Sequence, residues 1–166
     1  KEPAYWEGEI PWVTVKDLRD EQSIIDGAEE SITQTGLDSS SASLIPEGIP
    51  ILCTRMAVGR AVVSTRPVAI NQDLKALFPG EELTPSFLHR LLQWHRSDLQ
   101  AVAVGSTVDG VKLGDVRSLE VGIPPIPEQH RIADVLDTVD AAIQEADAVV
   151  EKQEQVKTGL LQDLLT

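Results

Sequence analysis

The strongest constraint on this chain is the run Ile123-Pro124-Pro125-Ile126-Pro127-Glu128-Gln129-His130-Arg131-Ile132-Ala133, followed by a long, nearly unbroken helical pattern. Three prolines in four positions force an extended approach. The helix then starts close behind, with Pro127 at the first helical position and Glu128 in the first turn, where the helix dipole favours an acid. Apolar residues Ile132, Leu136, Val139, Ile143, Ala146 and Val150 recur at alternating steps of four and three. The register weakens through Gln153 and Lys157 and returns at Leu160 and Leu164. Val149 and Val156 offer a competing stripe, so a shifted seam stays open. A helix over this segment spans about 55–60 Å at 1.5 Å per residue. The residues ahead of it cannot cover that length. Part of the apolar face must therefore meet another helix from a partner, a second copy, or another half of the same polypeptide. Gly159 is the one helix weakener and marks a bend or a frayed end.

The 166 residues allow one domain plus an appendage. A single cysteine, Cys53, excludes an internal disulfide framework and a multi-cysteine zinc site, and fits a cytoplasmic protein. No apolar run approaches membrane-spanning length, and no signal peptide is visible. The net charge of −13 opposes phosphate binding at first sight. Its distribution is uneven, however. Residues 1–52 carry 11 acids and 3 bases, residues 53–121 carry 7 acids and 8 bases, and residues 122–166 carry 9 acids and 3 bases. A local basic face within the middle segment is compatible with this balance, as is a solvated surface with scattered bases.

Ile10 to Val15 reads as a strand, with Pro11 near its start suiting a sheet edge. Residues 21–47 are acidic and Ser/Thr-rich, with Ile24-Ile25 and Leu37 as anchors for short elements and Ser39-Ser40-Ser41 as a loop. Strands are expected at Ile51–Thr54, Ala61–Ser64, Val68–Ile70 and Leu74–Phe78, separated by turns at Gly59-Arg60 and Thr65-Arg66-Pro67. Thr84-Pro85 starts a helix expected to run to residue 100, burying Leu88, Leu91, Leu92, His95 and Leu99. One helical turn at Leu113–Ser118 and a last strand at Leu119–Ile123 precede the prolines. Mixed elements without regular βαβ alternation place the chain in the α+β class: a small mixed or antiparallel sheet with helices, then a long coiled-coil-type helix.

Catalytic signatures are absent. There is no glycine-rich phosphate loop and no Gly-x-Ser-x-Gly elbow. His89 and His95 lie six apart, off ligand spacing, and His130 reads as a hydrogen-bonding residue of the first helical turns. The Pro-Pro pair lacks the Asn/Asp-Pro-Pro-aromatic context of adenine methylation. Trp12 and Trp94 read as core or partly buried, and Trp6 as the more exposed aromatic. Arg55, Arg60 and Arg66 cluster on strand ends and turns, where they can contact phosphates or guanine edges or simply be solvated.

Together the motifs resemble the DNA specificity subunit of type I restriction-modification systems. The resemblance rests on Tyr5-Trp6 through Gly8-Glu9-Ile10-Pro11-Trp12-Val13-Thr14-Val15-Lys16-Asp17-Leu18, on Gly48-Ile49 through Thr54-Arg55 and Val58-Gly59, and on Ala69-Ile70-Asn71-Gln72-Asp73-Leu74-Lys75-Ala76-Leu77. Gly105-Ser106-Thr107, the proline run into the long helix, and the Lys157–Thr166 ending complete it. It implies a target-recognition domain over 1–123 and a long helix over 124–166 for dimerisation, spacing and docking, so that the chain is a half-subunit or a fragment. The family pattern also implies a further strand ahead of the Tyr-Trp segment.

The resemblance further implies a non-catalytic protein that binds double-stranded DNA at one half of a bipartite site. Its partners are then methyltransferase (modification) subunits, a restriction subunit, and a second half-subunit or second copy paired through the helix. S-adenosylmethionine, ATP and Mg belong to those partners, and this chain holds no cofactor or metal itself. The DNA-contacting residues chosen on chemistry are Arg55, Arg60, Arg66, Lys75, Ser106, Thr107 and Lys112. The helix-interface residues are Ile132, Leu136, Val139, Ile143, Val150, Leu160 and Leu164. Asp109 beside the Gly-Ser-Thr loop opposes tight DNA binding by the chain alone. The alternative is an assembly protein whose degenerate recognition domain regulates or blocks the restriction-modification complex.

Overall fold

A computed structural model describes residues 2–20, 22–104 and 110–165. In chain order the elements are β1 (Trp6–Val13), β2 (Ile24–Ile25), β3 (Glu30–Ile32), α1 (Gln34–Asp38), β4 (Leu44–Ile45), β5 (Ile51–Cys53), β6 (Ala61–Ser64), β7 (Val68–Ile70), β8 (Leu74–Ala76), α2 (Pro85–Trp94), α3 (Arg96–Val104), α4 (Leu113–Arg117) and α5 (Ile126–Leu165). The strands form two four-stranded sheets, ordered β3-β1-β7-β4 and β2-β6-β5-β8. Both mix parallel and antiparallel pairs, as expected of the α+β class.

Strand alternation explains the layering. On β5, Ile51 and Cys53 join Val13, Ile45, Val62 and Val68 in a core between the two sheets. Leu52 points the other way, with Ala61, and packs against Leu92, Leu99 and Val111 beneath the helices. A strand covered on both faces must be apolar throughout, which is why Ile51-Leu52-Cys53 shows no polar alternation. His89 is buried in this second layer with its Nε2 3.1 Å from the Ala61 carbonyl.

Several elements depart from the sequence expectations. β1 begins at Trp6 and is an interior strand, not an edge. Pro11 is tolerated because pairing with β7 starts only at Trp12, so its missing N–H faces no ladder on that side. A bulge ahead of it lets both Trp6 and Ile10 oppose Ile32. Glu7 takes a positive φ there, and a Cβ on Gly8 would lie 2.3 Å from the Ile32 carbonyl oxygen. The helix expected over 85–100 breaks at His95, whose Nδ1 lies 2.7 Å from Asp98 Oδ2 at the start of α3. Trp94, expected in the core or partly buried, is 81% exposed, because it lies two residues or about 200° around the helix from buried Leu92. Trp6, expected to be exposed, is half-buried and packs edge-on against Trp12 at 6.4 Å. The fourth strand stops at Ala76, leaving Phe78 exposed, and residues 119–123 run as irregular chain.

The long helix starts at Ile126, one residue before the expected position, and extends for 40 residues. Its only buried side chains are Gln129 and Ala133. Gln129 is fully buried and uses the whole carboxamide. Oε1 accepts from the Thr84 N–H at 2.8 Å, and Nε2 donates to the Glu82 and Pro124 carbonyls at 2.8 Å each. Thr84 is the N-cap of α2 and accepts from the Phe87 N–H. One side chain thus joins the first turns of α2 and α5 to the proline run.

Gln129→Leu is expected to lower unfolding stability by about 3 kcal/mol in urea denaturation, since an N–H and two carbonyls lose their partner. Burial lowers the His89 pKa and keeps its ring neutral in the native state. The unfolded chain takes up a proton below about pH 6.5, so stability is full above that pH and falls as acidity increases. Thermal melts between pH 7 and 5.5 should decline, and His89→Gln should flatten that decline.

Candidate nucleic-acid interface

The connection between β5 and β6 builds a concavity that gathers three arginines. It is closed as a hairpin by the Cys53 N–H on the Arg60 carbonyl at 2.8 Å and the Gly59 N–H on the Cys53 carbonyl at 3.1 Å. The Arg55 carbonyl accepts from the Ala57 N–H at 2.7 Å and from Cys53 Sγ at 2.8 Å. That i to i+2 bond makes Met56 the centre of a γ-turn at φ +61°, a strained conformation for a residue with a side chain. Met56 stands at the tip, 85% exposed. Thr54 anchors the base of the loop, taking the Val111 N–H on its carbonyl and donating its own N–H and hydroxyl to the Asp73 carbonyl.

Gly59 permits the loop to lie against α3. It has φ +82°, and a Cβ there would sit 2.9 Å from the Arg96 carbonyl oxygen. That approach brings Arg60 beside Arg96, and both grip Asp20. Arg60 donates Nε to Asp20 Oδ1 at 3.0 Å, places Nη2 2.6 Å from Oδ2, and donates Nη1 to the Leu18 carbonyl at 2.7 Å. Arg96 Nη2 reaches Asp20 Oδ1 at 2.8 Å. The hydrogen bonds from Arg96 and Arg60 hold the Asp20 carboxyl below its ordinary pKa. Two guanidiniums share one carboxylate and leave a net positive charge. Arg55 is half-exposed, 3.9 Å from Asp73. These residues, with Met56 and Gln100, line an open cleft of about 1020 Å³.

Of the residues chosen from the sequence, Arg55 and Arg60 meet in this cleft. Lys112 is exposed and does not line the cleft, though it follows Val111, whose N–H bonds the Thr54 carbonyl at the base of the loop. Arg66 is exposed at the opposite end of β6, and Lys75 lies on β8 beside a separate groove lined by Trp12, Ser43 and Phe78. Ser106 and Thr107 lie outside the described residues. Sequence reasoning passed over Arg96, Asp20 and Met56. Arg96 read as the middle of one helix, and the Asp20 contacts span 40 and 76 residues, for which no local signal exists. Cys53 is buried and its thiol pKa is raised by that burial, so it is no nucleophile. His130, expected to hydrogen-bond, is exposed, and the neighbouring Gln129 has that role. Among the described residues no group of three or more His, Cys, Asp or Glu side chains is placed to hold a metal ion, and no helix is long and apolar enough to cross a membrane.

A mixed sheet pair with an arginine-lined hairpin, joined through buried Gln129 to a long exposed helix, defines a scaffold for holding a compact domain on a rod. A family model described as type I restriction modification DNA specificity domain matches residues 1–152, and the chain belongs to that family. It is similar to the specificity subunit of the type I restriction enzyme MjaIX of Methanocaldococcus jannaschii, 29% identical over 143 residues, covering 84% of this chain and 33% of that protein. The EcoR124I/EcoR124II specificity subunit of Escherichia coli is 29% identical over 143 residues, covering 82% of this chain and 35% of that protein. The chain therefore spans about a third of the length of the relatives it matches. The crystal structure of an HsdS subunit from Thermoanaerobacter tengcongensis superposes with a TM-score of 0.62 at 22% identity, over 88% of this chain and 35% of that one. A chain from work on complex assembly and conformational transition of the type I restriction-modification system superposes at TM-score 0.66, with the same identity and coverage. At that identity the likeness is one of fold.

Met56→Gly should raise stability by about 1 kcal/mol, because glycine carries no Cβ penalty at positive φ. Urea denaturation at constant pH measures it.

Proposed function

We propose that this chain serves as a DNA-recognition module of a type I restriction-modification specificity subunit, reading one half of a bipartite duplex site and carrying no catalysis itself. The observation that carries this reading is the gathering of Arg55, Arg60 and Arg96 on one concave face of a chain whose net charge is −13. An acidic protein that concentrates guanidiniums on one rim directs its attraction for phosphate there and repels nucleic acid elsewhere. Asp20 holds two of them in place before any ligand arrives, so less side-chain entropy is lost on binding. Arg55 is the more available donor for a phosphate or a guanine edge. Arg66, Lys75 and Lys112, with Ser106 and Thr107, are retained as further contacts along the duplex.

In this reading residues 1–123 recognise DNA and residues 124–166 space and dock. The apolar residues Leu136, Val139, Ile143, Val150, Leu160 and Leu164 are all exposed along α5, and Ile132 is half-buried. Such a stripe is covered in the working assembly by a second copy or second half-subunit, with methyltransferase and restriction subunits docking beside it. Methylation and cleavage, with their S-adenosylmethionine, ATP and Mg, lie on those cytoplasmic partners.

The test is selection from a duplex library with randomised half-sites and spacers, followed by titration of the selected duplex against salt. Arg55→Ala should weaken binding by about 1–2 kcal/mol and reduce the salt slope by about one. Failure to select any duplex at low salt, with a modification subunit present, overturns the proposal. Introducing Asp at both Leu136 and Ile143 should halve the mass seen by light scattering if α5 pairs with a second copy.

A further inference from the structure

Outside the cleft, Arg90 on α2 is a heavily engaged charged side chain. Its side chain is only 11% exposed and faces two carboxylates one helical turn apart on α5. Nη2 pairs with Asp137, and Nη1 bonds Asp140 Oδ2 at 2.5 Å. Nη1 also donates to Gln93 Oε1 at 2.9 Å, and Gln93 Nε2 donates to Ser23 Oγ at 2.8 Å, just ahead of β2. Arg90 Nε is buried with no partner among the described residues. A network therefore runs from the second sheet through α2 to α5.

We infer that Arg90, Asp137 and Asp140 form an angular clamp that sets the direction in which α5 leaves the domain. Gln129 and the buried Ala133 one turn on hold only the first turns of α5, a short attachment about which a rod can pivot. Arg90 grips α5 eight and eleven residues beyond Gln129, roughly 12–16 Å along the axis. Two points define a direction. The chemistry suits this role more than it suits stability. Replacing a buried ion pair with apolar side chains often costs nothing, whereas a planar guanidinium held between two fixed carboxylates tolerates little rotation. The orphaned Nε is consistent with a side chain placed for geometry over full satisfaction.

The lever arm gives the clamp its consequence. Some 25 residues of α5 lie beyond Asp140, about 37 Å of rod, so a 10° change at the joint displaces the far end by roughly 6–7 Å. That is about two base-pair steps of 3.4 Å. Resting on the DNA-recognition reading above, Arg90 is thereby a positioning residue for the spacing between half-sites, without touching DNA.

The experiment places spin labels at Glu47→Cys and Lys157→Cys in the full chain, both positions being exposed and the native Cys53 buried. Labelled chain is diluted with unlabelled chain so that pulsed electron resonance reads only intrachain distances. The wild-type background should give a narrow distribution. Arg90→Met should broaden or shift it by several ångströms, and the volume-matched pair Asp137→Asn with Asp140→Asn should do the same if Arg90→Met fails to fold. Arg90→Lys, a point charge without the fork, should fall between. Unchanged distributions in folded variants overturn the clamp.

A second arm measures spacer preference on the duplex selected above. The variants should accept spacers one or two base pairs longer or shorter, with affinity for an isolated half-site unchanged. A broadened distance with an unchanged spacer profile overturns the spacing role, whereas a wild-type chain that selects no duplex overturns the DNA-recognition reading instead.

Discussion

The architecture turns on one buried carboxamide. Gln129 places its oxygen on the N-cap residue of α2 and its nitrogen on two carbonyls, one of them within the proline run. Prolines cannot satisfy their neighbours by donating main-chain hydrogen bonds, so the extended approach to α5 leaves acceptors that need an outside donor. A carboxamide offers both donor and acceptor on one planar group, which neither a carboxylate nor an ammonium can do. Burying it is favourable only because its bonds are made together. With that joint made, α5 can project from the body while touching it over only its N-terminal part, as far as Asp140.

Charge is managed by local pairing against an unfavourable total. Asp20 opposes the net attraction of the cleft for phosphate by one charge, yet it aligns Arg60 and Arg96 and suppresses their freedom. The strained turn at Met56 and the glycine contact at Gly59 belong to the same arrangement. The hairpin is pulled down on α3, and that contact puts two arginines from distant segments on one acid. The cleft is thus built from a local turn and a long-range ion pair, each relying on the other.

Legibility in the sequence followed the range of the interactions responsible. The strands at Ala61–Ser64 and Val68–Ile70 and the long helix near Pro127 were readable, because apolar runs, prolines and heptad spacing are local properties. The helix break at His95 was missed, since its apolar face continues from Leu92 to Leu99 across the kink. Pro11 suggested an edge and lies inside a sheet, because the partner strand on its other side begins one residue later. Arg55 and Arg60 were recognisable as turn arginines. Their relation to Arg96 was not, since nothing near residue 96 indicates a carboxylate 76 positions away.

The order of residues was enough to specify the helical rod, its unpaired apolar stripe, and the strands that alternate or run apolar according to how many faces they bury. These follow from backbone geometry and the periods 2 and 3.6, which act over a few residues. Which cations share a cleft, which glutamine closes the joint, and which arginine holds the rod at its angle were settled only by folding. Those pairings join segments 40 to 76 residues apart and have no period to betray them.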